Sequence, residues 1–410
     1  MRVLFTVSPW AGDWFCAVPL GWALQAAGHD VRVACTPGQA ATVARAGLVP
    51  VPVLESPDLM RMSRTGHLML SAAGRRALPG LPLPLHPWTD EPVTDLSEVD
   101  VPALALRLWE EISGPLARRF DATVELARAW RPELVVYGLM GTEGTLAARL
   151  LDVPAVYHSP GLIGAVEEDP ALDMGPPDPT GAFARHGVAP WQPEHATYAI
   201  DPSPAAARPP HVAGGVRLPV RYVPYNGPGV TPDWARERGE RPRLAVMWGS
   251  SAVGLWGPRV DALREAVLAG VDAGAEVVLV TTTAQAELLG ELPERVRVLP
   301  DFPLRHLLDT ADAVVHHGSV NGLMTAAAAG LPQLSLALAD EQIAVARRML
   351  PTGAVLLTPG HVTPAEEIRA AVGRVLDDGA LRRAAAELGA ELAALPSPAA
   401  LVGDLEKLAA

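Results

Sequence analysis

Residues 313–332 decide the fold, and they read Ala-Val-Val-His-His-Gly-Ser-Val-Asn-Gly-Leu-Met-Thr-Ala-Ala-Ala-Ala-Gly-Leu-Pro. The apolar start predicts a buried strand, and the paired histidines that follow lie in a turn. The small residues after the turn predict a helix that ends at Gly330, directly before Leu331 and Pro332. A strand that leads through a turn into a helix is the repeating unit of an α/β fold with a parallel sheet.

The start of this predicted helix is suited to bind an anion. A helix N-terminus presents free backbone N–H groups and the positive end of a dipole, and small residues let a ligand approach the backbone. His317 is placed to donate a hydrogen bond to a pyrophosphate oxygen, although a core histidine bonded to a carbonyl is the alternative. His316 alternates to the other side of the strand end and is predicted to be structural.

A polar cluster shortly after Pro332 could bind sugar hydroxyls. It consists of Asp340, Glu341 and Gln342, for which the alternative is a solvated helix start where acidic charge is favourable. Ser250 and Ser251 follow another predicted strand, Leu244–Trp248, and are candidates for phosphate or base contacts, with ordinary turn chemistry as the alternative. A site with phosphate contacts at one end and sugar-hydroxyl contacts at the other is suited to bind a nucleotide sugar.

The bulk composition limits the possible classes of protein. The chain has 410 residues, which favours two domains, and 49% hydrophobic with 19% charged residues is typical of a globular protein. The net charge of −13 argues against a broad nucleic-acid surface. Cys16 and Cys35 form no metal pattern, and neither a signal peptide nor a membrane-spanning apolar run is recognisable. We therefore expect a reduced cytoplasmic location, no bound metal and no transmembrane segment.

Strand-like and helix-like runs alternate in two halves of the chain. The pattern begins at Val3, restarts at Leu244, and predicts an N-terminal Rossmann-like domain at residues 1–216 and a C-terminal one at 241–392. Residues 217–240, with several Pro and Gly, are the predicted linker. Residues 393–410 form a predicted C-terminal helix that packs back on the N-terminal domain.

Three segments, in this order and spacing, carry a family resemblance. They are residues 18–31 (Val-Pro-Leu-Gly-Trp-Ala-Leu-Gln-Ala-Ala-Gly-His-Asp-Val), residues 221–230 (Arg-Tyr-Val-Pro-Tyr-Asn-Gly-Pro-Gly-Val) and the region from Pro303 to Gln333. Together they resemble the GT-B glycosyltransferases, specifically the actinobacterial enzymes that attach deoxysugars to antibiotic aglycones. The resemblance implies two Rossmann-like domains facing across a cleft, with the acceptor on the N-terminal one and the nucleotide sugar on the other. It also implies inversion at the anomeric carbon, no metal on the diphosphate and no cofactor besides the sugar nucleotide.

The nucleotide-binding part departs from the family pattern, which usually reads His-His-Gly-Gly-x-Gly-Thr. Ser319 replaces the second glycine, and Gly322 occupies the position where a phosphate-binding Ser or Thr is common, so Asn321 and backbone N–H groups are expected to compensate. The sugar-binding Asp-Gln pair appears as Glu341-Gln342. The resemblance assigns nucleobase contacts to three consecutive residues, Phe302, Pro303 and Leu304.

Inverting transfer needs a base beside the acceptor nucleophile. Asp13 follows the first predicted strand, at the end where open α/β sheets place their ligands, and the resemblance implies that it is this base. The alternative is an N-cap of the next helix.

Acceptor contacts are expected in the N-terminal half. Met62 and Met69 lie in a Met-rich run and could line an apolar acceptor pocket, and Trp10 and Trp14 could contact a flat aromatic acceptor. For all four, core packing is the alternative. Glu143 follows another strand and is a candidate auxiliary acid or base, with a helix-start carboxylate as the alternative.

The preferred function is transfer of a TDP-linked deoxyhexose to a polyketide-type or other aromatic natural-product aglycone, as an O- or C-glycoside. A nucleotide-sugar epimerase is disfavoured by the linker and N-terminal segments. A non-catalytic homologue that binds nucleotide sugar or helps a partner transferase is the alternative from another class, because Ser319 and Gly322 alter the phosphate loop. A homodimer or a helper protein is left open. A nicotinamide dehydrogenase is unlike this chain, since the first strand is not followed by G-x-G-x-x-G.

Overall fold

Two parallel sheets organise the protein, as a computed structural model that describes residues 1–249 and 251–410 shows. In these residues, seven strands form the first sheet in the order β3-β2-β1-β4-β5-β6-β7, and six form the second in the order β10-β9-β8-β11-β12-β13. Neighbouring strands pair in parallel throughout both sheets. The predicted fold class, α/β with two Rossmann-like parallel-sheet domains, is confirmed.

The first sheet and its helices occupy the N-terminal half of the chain. Its strands are β1 Arg2–Thr6, β2 Asp30–Ala34, β3 Val49–Val51, β4 Leu134–Tyr137, β5 Ala155–His158, β6 Tyr198–Asp201 and β7 Val216–Pro219. The helices are α1 Ala11–Trp14, α2 Val18–Ala26, α3 Ala40–Arg45, α4 Leu59–Ala72, α5 Val101–Trp130, α6 Glu143–Leu151 and α7 Ala182–Arg185.

The second sheet repeats the arrangement. Its strands are β8 Arg243–Met247, β9 Glu276–Thr281, β10 Val296–Pro300, β11 Ala313–His316, β12 Gln333–Ala337 and β13 Val355–Pro359. The helices are α8 Ser251–Trp256, α9 Asp261–Asp272, α10 Thr283–Leu289, α11 Arg305–Leu308, α12 Val320–Ala328, α13 Asp340–Met349, α14 Ala365–Asp377, α15 Gly379–Ala394 and α16 Pro398–Ala409.

Local sequence explains why the central strands are so apolar. Every residue of β4, β11 and β12 is buried, because helices cover both faces of a parallel sheet and leave no solvent-facing side. In α/β domains of this kind, polar groups are exposed chiefly in the loops that follow the strand ends. The strand ends, and the loops and helix starts that follow them, are therefore the places to look for functional residues.

The chain crosses between the sheets twice. Residues 217–219, which the sequence assigns to the linker, lie in β7 and pair with β6, because this Val-Arg-Leu-Pro segment continues the strand pattern of the first sheet. The connection from 220 to 242 then contains a short 3₁₀ turn at Asp233–Arg236. After α15 the chain returns, and α16 buries Leu401, Val402 and Leu405 in the core of the first sheet.

An apolar contact also joins the two domains directly. Leu162 of the N-terminal domain and Tyr222 of the connection pack with Leu323 and Met324 of α12 in one buried cluster. The described helices include none that is both long enough and apolar enough to cross a membrane.

Close packing of α12 against α15 generates a stability prediction. A Cβ at Gly389 would lie 2.7 Å from Cα of Gly330, so Gly389→Ala forces two backbones apart. We expect a loss of about 1–3 kcal/mol of unfolding free energy. Gly373→Ala in the middle of α14, where a Cβ meets nothing within 4 Å, should instead gain up to about 1 kcal/mol from helix propensity. Denaturant unfolding of both variants tests this, and equal stabilities would contradict it.

Candidate active site

Three loops of the C-terminal domain converge at one edge of the second sheet. They follow β8, β11 and β12, which are neighbours in the sheet, so their carboxyl ends meet. Predicted donor-site residues follow these strands: Ser251 after β8, then His317, Ser319, Asn321 and Gly322 after β11, and Asp340, Glu341 and Gln342 after β12. Ser250 lies outside the described residues, and Ser251 begins α8.

His317 is held in a defined tautomer at this edge. Its side chain is 4% exposed, and Nδ1 accepts a hydrogen bond from the backbone N–H of Gly249 at 3.2 Å. Burial lowers the pKa of His317 to about 4, against a smaller opposing effect of the Met247 backbone. The neutral ring therefore carries its proton on Nε2, which is a hydrogen-bond donor. A Cβ at position 249 would lie 2.9 Å from the ring, so the glycine permits this approach.

His316, in contrast, has no ring nitrogen free to bind a ligand. Its Nδ1 accepts from the N–H of Gly318 at 3.1 Å, and its Nε2 lies 2.9 Å from the side-chain oxygen of Gln333. The side chain is fully buried. These bonds fit the structural role that the sequence predicts for His316.

The altered phosphate loop is explained by two local contacts. Ser319 is the N-cap of α12, and its Oγ accepts from the N–H of Gly322 at 3.2 Å. A Cβ at Gly322 would lie 2.4 Å from the methyl group of Met247, so Met247 occupies the space that a Ser or Thr would need. The N–H groups of Val320 and Asn321, in the first turn, are the helix donors that remain.

Asn321 ties this loop to the linker. Its side-chain oxygen accepts from the Tyr222 hydroxyl at 3.0 Å, from Asn226 Nδ2 at 2.7 Å and from Thr325 Oγ1 at 3.1 Å. The predicted diphosphate contact therefore has only its Nδ2 group left. Nothing in the sequence spacing indicates this linker bond, because it joins residues far apart in the chain.

The predicted nucleobase contacts separate into exposed and buried residues. Leu304 is 2% exposed and packs in the core with Ala245 and Val314, so it does not face a ligand. Pro303 is also buried and lies against the backbone of Gly229, where a Cβ would approach it to 2.5 Å. Phe302 alone stays partly exposed and contacts the His306 ring edge to face at 5.8 Å. Leu304 is the N-cap of α11 and is buried with Pro303, so the predicted nucleobase contacts of these two residues do not fit the structure.

The predicted sugar contacts are largely occupied by other groups. Asp340 is fully buried and accepts from Arg76 Nε at 2.7 Å, an ion pair between the domains. Gln342 directs its side-chain oxygen to the N–H of Leu338 at 2.9 Å. Glu341 is partly exposed, and His67 of the N-terminal domain lies 3.6 Å from its carboxylate. Of the three, only Glu341 presents an exposed carboxylate.

Asp13 lies after β1, inside the short helix α1. Trp10 occupies the N-cap position, so the alternative prediction of a capping role for Asp13 is wrong. The Ser8 hydroxyl donates to its carboxylate at 2.9 Å. Burial raises the pKa of Asp13 to about 6, against the lowering effect of the Ser8 hydrogen bond. The carboxylate is thus a base that titrates near neutral pH.

A pocket opens at the carboxyl end of the first sheet. Its empty volume is about 1040 Å³ including the solvent-filled mouth, and its walls are mainly apolar. Met62 and Glu143 line it, as predicted for acceptor contacts, whereas Trp14 is buried in the core of the first sheet. Trp10 and Met69 are exposed and are not among the lining residues. Glu143 is bound by Arg119 at 2.7 Å, a partner that no local motif could indicate.

Comparisons with known proteins agree with this arrangement. The sequence matches the family of erythromycin biosynthesis protein CIII-like proteins, with the N-terminal domain at residues 22–73 and 116–249 and the C-terminal domain at 265–408. The chain belongs to this EryCIII-like family. Members with curated functions that resemble it are transferases, so the chain is a glycosyltransferase with the GT-B fold.

Individual relatives align over nearly their whole length. The aklavinone 7-beta-L-rhodosaminyltransferase of Streptomyces galilaeus is 35% identical over 100% of this chain and 96% of its own. The 10-deoxymethynolide desosaminyltransferase of Streptomyces venezuelae is 32% identical over 100% and 97%. The solved structure of the glycosyltransferase VinC with DTDP superposes with a TM-score of 0.74 at 28% identity, covering 100% of this chain and 99% of VinC. The EryCIII-like match does not favour the non-catalytic alternative.

The buried ion pair between Arg76 and Asp340 generates a pH-dependent stability prediction. Burial raises the pKa of Asp340, but hydrogen bonds from His67 and the Ala77 backbone together with the Arg76 charge outweigh it, so the net shift is downward. A lowered pKa means stabilisation that is present above the unfolded value and lost as pH falls through the folded one. We expect Arg76→Met to cost about 3–5 kcal/mol at neutral pH. The cost should shrink below about pH 4.

The control is Arg107→Met, which removes an exposed pair with Glu111 at 3.4 Å. It should cost at most about 1 kcal/mol. Denaturant unfolding followed across pH measures both variants. A pH-independent cost for Arg76→Met would show that the charge of Asp340 is not what the arginine stabilises.

Proposed function

We propose that the protein is an inverting glycosyltransferase that moves a deoxyhexose from a TDP-linked donor to a polyketide-type aglycone. The observation that carries the proposal is the half-buried Asp13, a base with a pKa of about 6, at the same sheet edge as an apolar pocket. Relatives that act on aklavinone and on 10-deoxymethynolide support a polyketide acceptor. The TDP complex of spinosyn rhamnosyltransferase SpnG supports the donor nucleotide.

Asp13 takes the role of general base in this proposal. As the acceptor oxygen forms a bond to the anomeric carbon, its proton passes to the Asp13 carboxylate. The bond from that carbon to the diphosphate breaks on the opposite face, so the configuration inverts and TDP leaves. Ser8 holds the carboxylate in place through its 2.9 Å hydrogen bond. A carbon nucleophile beside a phenol would use the same donor machinery.

The leaving diphosphate is stabilised by the C-terminal domain. His317 donates through Nε2–H, and the first turn of α12 supplies backbone N–H groups at the positive end of its dipole. We propose that these groups take the diphosphate charge without a resident metal. A cytoplasmic location and a homodimer or helper protein stay predictions from the sequence.

Two variants separate donor binding from chemistry. We expect His317→Ala to weaken TDP binding at least about tenfold, because it removes a hydrogen bond to a charged group. Asp13→Asn should keep TDP binding but lower kcat by about 10²–10⁴-fold with a TDP-deoxyhexose and aklavinone or 10-deoxymethynolide. Calorimetry in chelator-treated buffer measures the first effect, and product analysis measures the second.

Each variant is the control of the other, since they lie in different domains. TDP binding that survives in His317→Ala would remove His317 from the donor site. Full turnover by Asp13→Asn would exclude Asp13 as the base. Binding of TDP that appears only with added divalent cation would overturn the metal-free part of the proposal.

The pH dependence of the reaction follows from the Asp13 environment. Since the base must be deprotonated, kcat/KM should fall as pH drops below about 6. The Ser8 hydrogen bond lowers the pKa of Asp13, so Ser8→Ala should move this acidic limb to higher pH. Ser56→Ala, which removes a hydroxyl that donates to the carbonyl of Pro57, is a matched control and should leave the limb in place. An unshifted limb in Ser8→Ala would mean that another group controls the profile.

A further inference from the structure

The walls of the acceptor pocket of the proposed function are mainly apolar, with a few polar side chains among them. Pro57, Leu59, Met62, Phe120 and Leu172 are among the residues that line its walls. Such walls bind a hydrocarbon skeleton by burial of apolar surface and do not fix its orientation. Orientation requires polar groups inside the pocket.

Tyr137 supplies one such group. It ends β4, lines the pocket, is 2% exposed, and its ring packs on Tyr157 with centroids 5.5 Å apart. Within the described part of the chain, its hydroxyl oxygen is buried and has no hydrogen-bond partner. Burial raises the pKa of Tyr137, so the hydroxyl keeps its proton and remains a donor. An unpaired buried hydroxyl is costly, which a ligand oxygen would relieve.

Arg119 and Glu143 supply further polar groups inside the pocket. Both side chains are less than 5% exposed, and both line the same pocket as Tyr137. Arg119 Nη2 donates to Glu143 at 2.7 Å, while Nη1 donates to the carbonyl of Glu55 at 3.4 Å. A guanidinium has five N–H donors, so donors remain after these bonds. Since Glu143 cancels the charge of Arg119, the pair can donate to an oxygen without favouring an anion.

We propose that Tyr137, with the Arg119–Glu143 pair, binds a neutral carbonyl or hydroxyl oxygen on the aglycone, other than the atom that is glycosylated. The proposal rests on the proposed function and deepens it. It defines the acceptor as an apolar skeleton with a neutral oxygen substituent that sets its orientation. A carboxylate at this position is disfavoured, because the positive charge is already neutralised inside an apolar pocket.

The test uses small matched probes and does not depend on turnover. Binding of 2-acetylnaphthalene and of 2-ethylnaphthalene to the full-length protein is compared by calorimetry or NMR titration. The ketone should bind about tenfold more tightly than the hydrocarbon. Tyr137→Phe should abolish this preference, because it removes the hydroxyl and keeps the ring against Tyr157. Tyr225→Phe removes another buried, unpartnered hydroxyl of the described chain, outside this pocket, and should keep the preference.

A second measurement addresses the charge argument. 2-Naphthoate should bind the wild type more weakly than the ketone, and Glu143→Gln should reverse the order by leaving Arg119 positively charged. Three results would overturn the proposal. They are an equal preference for the ketone in Tyr137→Phe and the wild type, tighter binding of naphthoate than of the ketone to the wild type, and no binding of either naphthalene. Failure of the transferase function itself would appear separately, as loss of TDP binding or of turnover in the wild type.

Discussion

Parallel pairing of every strand in both described sheets constrains where polar chemistry can occur in this protein. Helices cover both faces of such sheets, so strand interiors are apolar and polar side chains concentrate where the strands end. Asp13 follows β1, His317 follows β11, and Tyr137 is the last residue of β4. The proposed base, the histidine proposed to bind the diphosphate and the proposed acceptor contact thus lie at carboxyl ends of strands in two copies of one architecture.

Burial tunes these groups through a single physical effect. Removal from water disfavours the charged form of any group, so it raises the pKa of Asp13 and lowers that of His317. The carboxylate becomes a better proton acceptor near neutral pH, while the histidine stays a neutral donor. The two pKa shifts have opposite directions because the carboxyl group is charged when it is deprotonated, whereas the imidazole is charged when it is protonated.

Residues of the donor loops also hold the domains together. Asn321 binds the linker through Tyr222 and Asn226, and Asp340 binds Arg76 of the N-terminal domain. The buried pair of Arg348 with Glu167, at 2.8 Å, adds another link. The loops proposed to bind the donor therefore also carry bonds between the two halves of the chain.

The sequence by itself determined the fold class, the strand ends at Asp13 and His317, and the structural role of His316, since these follow from local periodicity and turn chemistry. It also identified the Met62 wall of the pocket. Tertiary structure alone decided that Leu304 and Trp14 pack inward, that Asp340 pairs with Arg76 rather than facing open solvent, and that Arg119 meets Glu143. Such partners are far apart in the chain, and side-chain direction at a strand end depends on how neighbouring helices pack. Local patterns therefore specify where chemistry can occur, whereas long-range packing decides which side chains are free to perform it.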